Sequence, residues 1–135
     1  MTAQERKDLS KYRIDRTKEI LTEVEDILIK NKLYSTAINR LYYGCYYAVI
    51  GLLILKGMSS ETHKGTRMMF GLHVVKKGLI SREPGKFYAD IFNKRHSCDY
   101  DDFIEITEED AKSYLLPAKE LIKALDKLIE GNSKV

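Results

Sequence analysis

Fifteen consecutive uncharged residues, from Leu41 to Leu55, constrain the fold of this chain more than any other stretch. They follow Asn39 and Arg40 and include four tyrosines in two adjacent pairs. A helix that is apolar nearly all round must be covered on all sides, by its own chain or by a second copy. Since a membrane span needs about 20 apolar residues, and Arg40 and Lys56 flank this shorter run, we expect a buried core helix.

The composition suits a single helical domain over residues 1–135. Hydrophobic residues make up 44% of the chain and charged residues 32%, with only two prolines, a balance that argues against disorder and against a β-sandwich. The net charge of +3 is too small to indicate nucleic-acid binding by itself. Cys45 and Cys98 do not make a disulfide framework, and residues 1–12 are polar. We therefore expect a cytoplasmic protein without a secretory signal.

Apolar spacing and capping residues predict five helices and no strand, which is an all-α fold. The expected helices run from Thr2 to about Lys30, from Leu33 to Lys56, from Thr62 or Thr66 to Gly78, from Ser81 to the segment 99–102, and from Thr107 to about Gly131. Pro117 is expected to kink or divide the last helix, because proline lacks the amide hydrogen that an inner helical position donates.

Arg95 is the first anomaly in this pattern. It lies on the apolar stripe of the fourth helix, with Tyr88, Ile91 and Phe92, because side chains three and four residues apart share a helix face. A guanidinium facing a core needs a partner, and Asp99, one turn later, is the nearest acid. Removing one member of a buried ion pair costs about 3 to 5 kcal/mol.

Several polar residues occupy positions where apolar ones would pack better, and two interpretations of them stay open. Two arginines and a histidine around one cleft would suit a phosphate or a nucleotide. Alternatively, the same side chains form buried hydrogen bonds and ion pairs that fix the helix register. The three histidines and two cysteines lack the paired spacing of zinc sites, so we predict no metal and no cofactor. The polar residues concerned are Asn39, Arg40, His63, Arg95, Asp99 and Tyr100.

Five short motifs, taken in order, suggest a family. They are Asn39-Arg40-Leu41-Tyr42-Tyr43, Gly57 at the end of that helix, Thr62-His63-Lys64-Gly65 with Phe70 after it, Val75-Lys76-Lys77-Gly78-Leu79-Ile80, and Arg95 followed by Asp99-Tyr100. Together they resemble the HEPN (higher eukaryotes and prokaryotes nucleotide-binding) superfamily, and most of all its small stand-alone prokaryotic branch. The resemblance implies an up-and-down four-helix bundle with an additional helix. It also implies a homodimer that is paired, as in toxin–antitoxin systems, with a minimal nucleotidyltransferase.

The resemblance also bears on catalysis. Catalytic HEPN members are metal-independent ribonucleases in which a histidine follows the arginine after four to six residues. Arg95 matches that arginine, but Tyr100 stands at the first histidine position, which argues against catalysis. His63 could substitute if its turn folds over Arg95. The catalytic candidates are therefore Arg95, His63 and Tyr100, and the candidates for nucleotide or RNA binding are Asn39, Arg40, Arg95 and Asp99.

Three functions follow from this reasoning. The first is a HEPN-like nucleotide- or RNA-binding domain, with metal-independent RNA cleavage as a sub-case. The second is a non-catalytic protein-interaction module, in which the polar cluster is structural. The third is that a tyrosine, such as Tyr12 or Tyr100, accepts a nucleotide from a partner enzyme, although nothing distinguishes one among nine tyrosines.

Overall fold

The computed structural model describes residues 1–100 and 105–133, which form five α-helices and no strand. This confirms the all-α prediction. The first and third helices each continue through one π-helical turn, Val24–Leu28 and Gly71–Val75. The α-helices are α1 (Ala3–Glu23), α2 (Tyr34–Leu55), α3 (His63–Phe70), α4 (Arg82–Tyr100) and α5 (Glu108–Ser133).

Short-range capping sets several of these boundaries where they were predicted. The Thr2 hydroxyl accepts from the Glu5 amide at 3.1 Å, and the Thr62 hydroxyl accepts from the Gly65 amide at 2.9 Å. Each bond satisfies an amide that the first turn of a helix leaves without a partner. Gly57, just after α2, has a φ of +76°. Glycine adopts this left-handed conformation without steric cost, so it ends the helix.

Pro117 behaves differently from the prediction, because α5 runs unbroken past it from Glu108 to Ser133. The prediction that Pro117 divides this helix is therefore wrong. The carbonyl that an amide at this position would have bonded belongs to Ser113, which is exposed. Water can hydrate that carbonyl, so the missing hydrogen bond is tolerated.

Helix α2 is the centre of the bundle and contacts each of the other four helices. Helices α1 and α2 run antiparallel, since the Ser10 hydroxyl donates to the Gly51 carbonyl at one end and Arg40 pairs with Glu23 at the other. Helix α5 in turn runs antiparallel to α1, as the pairs Lys18–Asp126 and Lys119–Glu25 show. Helices α1, α2, α4 and α5 form the predicted bundle, and α3 is the additional helix.

The middle of α2 is buried as the uncharged run predicts. Leu41, Tyr42, Cys45, Val49 and Leu52 have no exposed surface. By length and composition α2 could cross a membrane. However, 56% of its most apolar 18-residue segment is buried inside the protein. It therefore packs as a core helix.

Helices α3 and α4 pack as an antiparallel pair, which positions the candidate site at one end and a tight contact at the other. At the tight end a Cβ on Gly85 would lie 2.9 Å from a methyl carbon of Val75. Only glycine fits there without displacing Val75. From the site end to the tight end, the facing pairs are His63 with Arg95, Arg67 with Asn93, Phe70 with Tyr88, and Val75 with Gly85.

Candidate functional site

His63 is the first residue of α3, and three tyrosines of α2 surround its imidazole. Its Nδ1 lies 2.7 Å from the hydroxyl of Tyr42. Its ring stacks on Tyr46, with centroids 4.2 Å apart and planes at 11°, and it meets the Tyr43 ring edge-on at 5.6 Å. Stacking and hydrogen bonding together fix the orientation of the imidazole.

Arg95 reaches the same tyrosines from α4. Its guanidinium carbon lies 5.3 Å from the centre of the Tyr42 ring and 5.5 Å from that of Tyr43. These distances are within the range of cation–π attraction. Its Nη2 also lies 3.4 Å from the Tyr43 hydroxyl. His63 and Arg95 thus share Tyr42 and Tyr43 as neighbours, although they are far apart in the sequence.

Asp99 pairs with Arg95, as the spacing of one helical turn predicts. The Asp99 carboxylate lies 2.9 Å from Arg95 Nε, in an ion pair without the alignment of a hydrogen bond. The two side chains are 21% and 31% exposed. The pair is therefore only partly buried, because this end of α4 lies at the edge of the core. The guanidinium can meet a ligand from solvent.

The electrostatic surroundings keep His63 neutral and Tyr42 protonated near pH 7. Burial, and then the nearby Arg95 cation, lower the pKa of His63 below its usual 6.5. Burial raises the pKa of Tyr42 to about 12. Tyr42 is therefore a hydrogen-bonding group in this site and cannot serve as a base at neutral pH.

The tautomer of His63 decides what its other nitrogen can do. If Nδ1 carries the proton, it donates to Tyr42, and Nε2 is free to accept a proton, as a general base must. If Tyr42 donates to Nδ1, Nε2 carries the proton and can donate to a phosphate oxygen. Among the described side chains, which exclude that of Tyr100, no hydrogen bond to Nε2 is found. Either tautomer therefore leaves one nitrogen for a ligand.

The other predicted site residues are Asn39, Arg40 and Tyr100, and the structure does not bring all of them to His63 and Arg95. Asn39 precedes Tyr42 and Tyr43 by one turn of α2 and is partly exposed. Arg40 turns away to α1, where its Nε donates to Glu23 at 2.9 Å. The structure therefore does not bring Arg40 to His63 and Arg95. Tyr100 is the last residue of α4, and its side chain lies outside the described part of the chain.

Tyr42 and Tyr46 are the site residues that the sequence reasoning did not identify. Their signal was the spacing of four residues, which puts two hydroxyl-bearing rings on one face of an otherwise apolar helix. The chain positions described by the structure contain no group of three His, Cys, Asp or Glu side chains that could hold a metal ion. The cluster is thus built from a cation, an imidazole and aromatic hydroxyls.

Comparison with known proteins gives one family. The HEPN domain family matches residues 8–128 of this chain. A Thermotoga maritima protein named "UPF0332 protein" is 36% identical over 126 residues, which cover 93% of this chain and 95% of the relative. "Putative toxin MJ0605" of Methanocaldococcus jannaschii is 33% identical over 104 residues, 77% of either chain. "Putative toxin MJ0142" of the same organism is 33% identical over 94 residues, 70% of this chain and 63% of the relative.

Proposed function

This chain belongs to the HEPN domain family, and we propose that it is an RNA-binding domain in which Arg95 and His63 contact one phosphate of the bound strand. The shared packing of these two side chains on Tyr42 and Tyr43 carries the proposal. A guanidinium supplies a permanent charge and a planar set of donors that suit a phosphate. A neutral imidazole beside it adds one nitrogen that can donate or accept a proton.

Neighbouring residues take supporting roles in this proposal. Asp99 orients the guanidinium of Arg95 through their ion pair. Asn39, one turn before Tyr42, offers an amide to the ribose or base next to the bound phosphate. Arg40 is left out because Glu23 already neutralises it. Tyr100 follows Arg95 at the first position where catalytic HEPN members carry their histidine.

RNA cleavage without a metal is a second function, favoured by the position of His63. In such a reaction the ribose 2′-oxygen attacks the adjacent phosphorus, the bond to the 5′-oxygen breaks, and a cyclic phosphate and a 5′-hydroxyl are formed. His63 would take the proton from the 2′-hydroxyl, and Arg95 would stabilise the charge on the phosphorane. The 5′-oxygen needs an acid, for which Tyr100, five residues after Arg95, is the candidate.

The names of two relatives and the family resemblance both bear on the partner of the protein. Two relatives carry the word "toxin" in their names, and the resemblance implies a neighbouring minimal nucleotidyltransferase. We propose that the chain acts in the cytoplasm as the HEPN component of a toxin–antitoxin-like pair with such an enzyme.

We also propose that the protein is a homodimer through an exposed stripe of α2. Ile50 and Ile54 are partly exposed and do not pack against the core. They continue the line of Tyr43 and Tyr47, which are also partly exposed. A second copy covering this stripe would adjoin Tyr43 and hence Arg95.

The function is tested by measuring RNA binding and cleavage by the purified protein in excess chelator, with Arg95→Ala and His63→Ala beside it. We expect Arg95→Ala to lose at least about tenfold in RNA affinity while it stays folded, since the Asp99 carboxylate left behind is still partly exposed to water. Chelator-resistant cleavage that His63→Ala abolishes would establish the ribonuclease. A folded wild-type protein that binds no RNA would contradict the proposal.

The same variants separate RNA binding from the protein-interaction alternative. If the polar cluster is structural, Arg95→Ala should lower the free energy of unfolding by several kcal/mol, as breaking a buried pair does. Binding to the partner enzyme would then survive in any variant that still folds.

A further inference from the structure

A second group of cations lies along the α3–α4 pair, beyond the end that holds His63 and Arg95. Here the two helices border a cleft of about 230 Å³. Arg67, Arg82 and Lys86 contribute cationic side chains to its wall, and no acidic residue lines it. Its apolar lining includes Phe70 and Tyr88.

These three charges are uncompensated within the described part of the chain. None of the ion pairs there involves Arg67, Arg82 or Lys86. Arg82 and Lys86 are both exposed and stand four residues apart on α4. Like charges at this spacing destabilise a helix, and the positive end of the α4 dipole adds to their repulsion. The arrangement therefore works against folding and favours an anion from outside.

Arg67 links this cleft to the candidate site. Its guanidinium lies 4.9 Å from the centre of the Phe92 ring, and it stands one turn from His63 on the same face of α3. Phe92 lies one turn from Arg95 on α4 and meets the Tyr42 ring edge-on at 5.9 Å. A line of cations and rings thus runs without a break from His63 to the cleft.

The length of this line fits a polymer better than a single ion. Arg95 and Lys86 are nine residues apart, about 13.5 Å along α4 and half a turn around its axis, and Arg67 of α3, which packs on Phe92 and also lines the cleft, connects the two. Grooves that bind single-stranded nucleic acid combine a track of positive charge with aromatic side chains. The path from Arg95 through Phe92 and Arg67 to Lys86 has both features.

We propose that the cleft lined by Arg67, Arg82 and Lys86 is a phosphate-binding subsite for an RNA strand that has another of its phosphates at Arg95 and His63. The inference rests on the proposed function. The subsite holds the backbone and reads no base, because its polar groups are cations apart from the buried hydroxyl of Tyr88. It would strengthen binding in a salt-dependent way, as phosphate contacts do.

The test is the affinity of the full chain for a short single-stranded RNA made resistant to cleavage by 2′-O-methyl groups, measured by fluorescence anisotropy over a series of salt concentrations. The variant is Arg82→Gln/Lys86→Gln. The matched control is Lys123→Gln/Lys127→Gln, which removes two exposed cations at the same spacing on α5. Since all four side chains are exposed, both variants should fold, and circular dichroism melting checks this.

We expect the cleft variant to bind roughly tenfold more weakly, or worse, at 0.1 M salt, with the slope of log affinity against log salt flattened by about 1.4, which is about 0.7 for each lost contact to a single strand. The control should keep the wild-type slope. A cleft variant that behaves like the control, while Arg95→Ala loses binding, would overturn the subsite alone. Wild-type protein that binds no RNA would overturn the proposed function and the subsite together.

Discussion

The Tyr42 hydroxyl lies 2.7 Å from Nδ1 of His63, and this bond ties the first residue of α3 to the buried centre of α2. Tyr42 has no exposed surface, whereas His63 is partly exposed. The buried hydroxyl therefore holds a ring that a ligand can still reach.

Removing this hydroxyl should release the imidazole. We expect Tyr42→Phe to lower the free energy of unfolding by about 1 kcal/mol, the usual contribution of one hydrogen bond. We also expect it to convert His63 from one dominant tautomer to a mixture, which ¹⁵N NMR of the imidazole would detect at pH 7.5. Tyr46→Phe is the matched control, because it keeps the stacked ring and touches no hydrogen bond of His63. An unchanged tautomer ratio in Tyr42→Phe would contradict this role.

The lowered pKa of His63 predicts how stability changes with pH. The unfolded chain takes up a proton near the usual 6.5, whereas burial and Arg95 keep the folded form neutral to lower pH. Between these values the unfolded state binds more protons, so the free energy of unfolding falls as the pH drops from about 6.5 through the folded-state pKa. Above 6.5 the contribution is complete.

Denaturant unfolding between pH 7.5 and 5.0 measures this dependence. His63→Gln should show a shallower loss of stability on acidification than the wild type. His73→Gln, which removes a histidine from the neighbouring π-helical turn, should retain the wild-type slope. Equal slopes for the wild type and His63→Gln would show that the environment of His63 does not disfavour its charged form.

Two glycines on either side of the α3–α4 contact predict opposite effects of the same substitution. A Cβ at Gly85 would lie 2.9 Å from Val75, whereas Gly71 has open space and a helical φ of −59°. Gly85→Ala should destabilise the protein by about 1 to 3 kcal/mol through overpacking. Gly71→Ala should stabilise it by about 0.5 to 1 kcal/mol, because alanine loses less backbone entropy in a helix.

Urea unfolding curves compare the two substitutions directly. Adding Val75→Ala to Gly85→Ala should recover part of the loss, because it removes the methyl groups that the new Cβ meets. A Gly85→Ala protein as stable as the wild type would mean that α3 and α4 can separate at this end without cost.

The exposed stripe of α2 predicts the effect of charge on the oligomeric state. Ile50→Glu/Ile54→Glu should convert the proposed dimer to a monomer, because two carboxylates would have to be buried at the interface. Met68→Glu/Leu72→Glu is the matched control, in α3 and the π-helical turn that follows it, where these residues are 58% and 52% exposed. Sedimentation velocity gives the masses. A wild type that is monomeric, or a control that dissociates equally, would contradict the proposed interface.

The helix boundaries were largely predictable because their signals act within one turn. Thr2 and Thr62 bond amides three residues ahead, and Gly57 supplies a backbone conformation of its own. Pro117 was the exception, since its effect depends on whether the carbonyl left unbonded can reach water. That depends on the placement of the whole helix in the bundle.

The site was predictable only in part. The spacing of four residues correctly paired Arg95 with Asp99, and the resemblance pointed to His63. The ion pair of Arg40 was not predictable, because its partner Glu23 belongs to another helix. The role of Tyr42 was hidden for the same reason, since its partner begins α3.

The sequence by itself determined the helices, their order and the buried character of α2, because apolar spacing and capping are local properties of the chain. Only the tertiary structure decided which cation faces Tyr42 and Tyr43. Arg40 and Arg95 carry the same group, but the rotation of each helix about its axis and the packing of its neighbours turn Arg40 toward Glu23 and Arg95 toward the tyrosines. Such rotations are set by the whole core at once, and so no single stretch of sequence contains them.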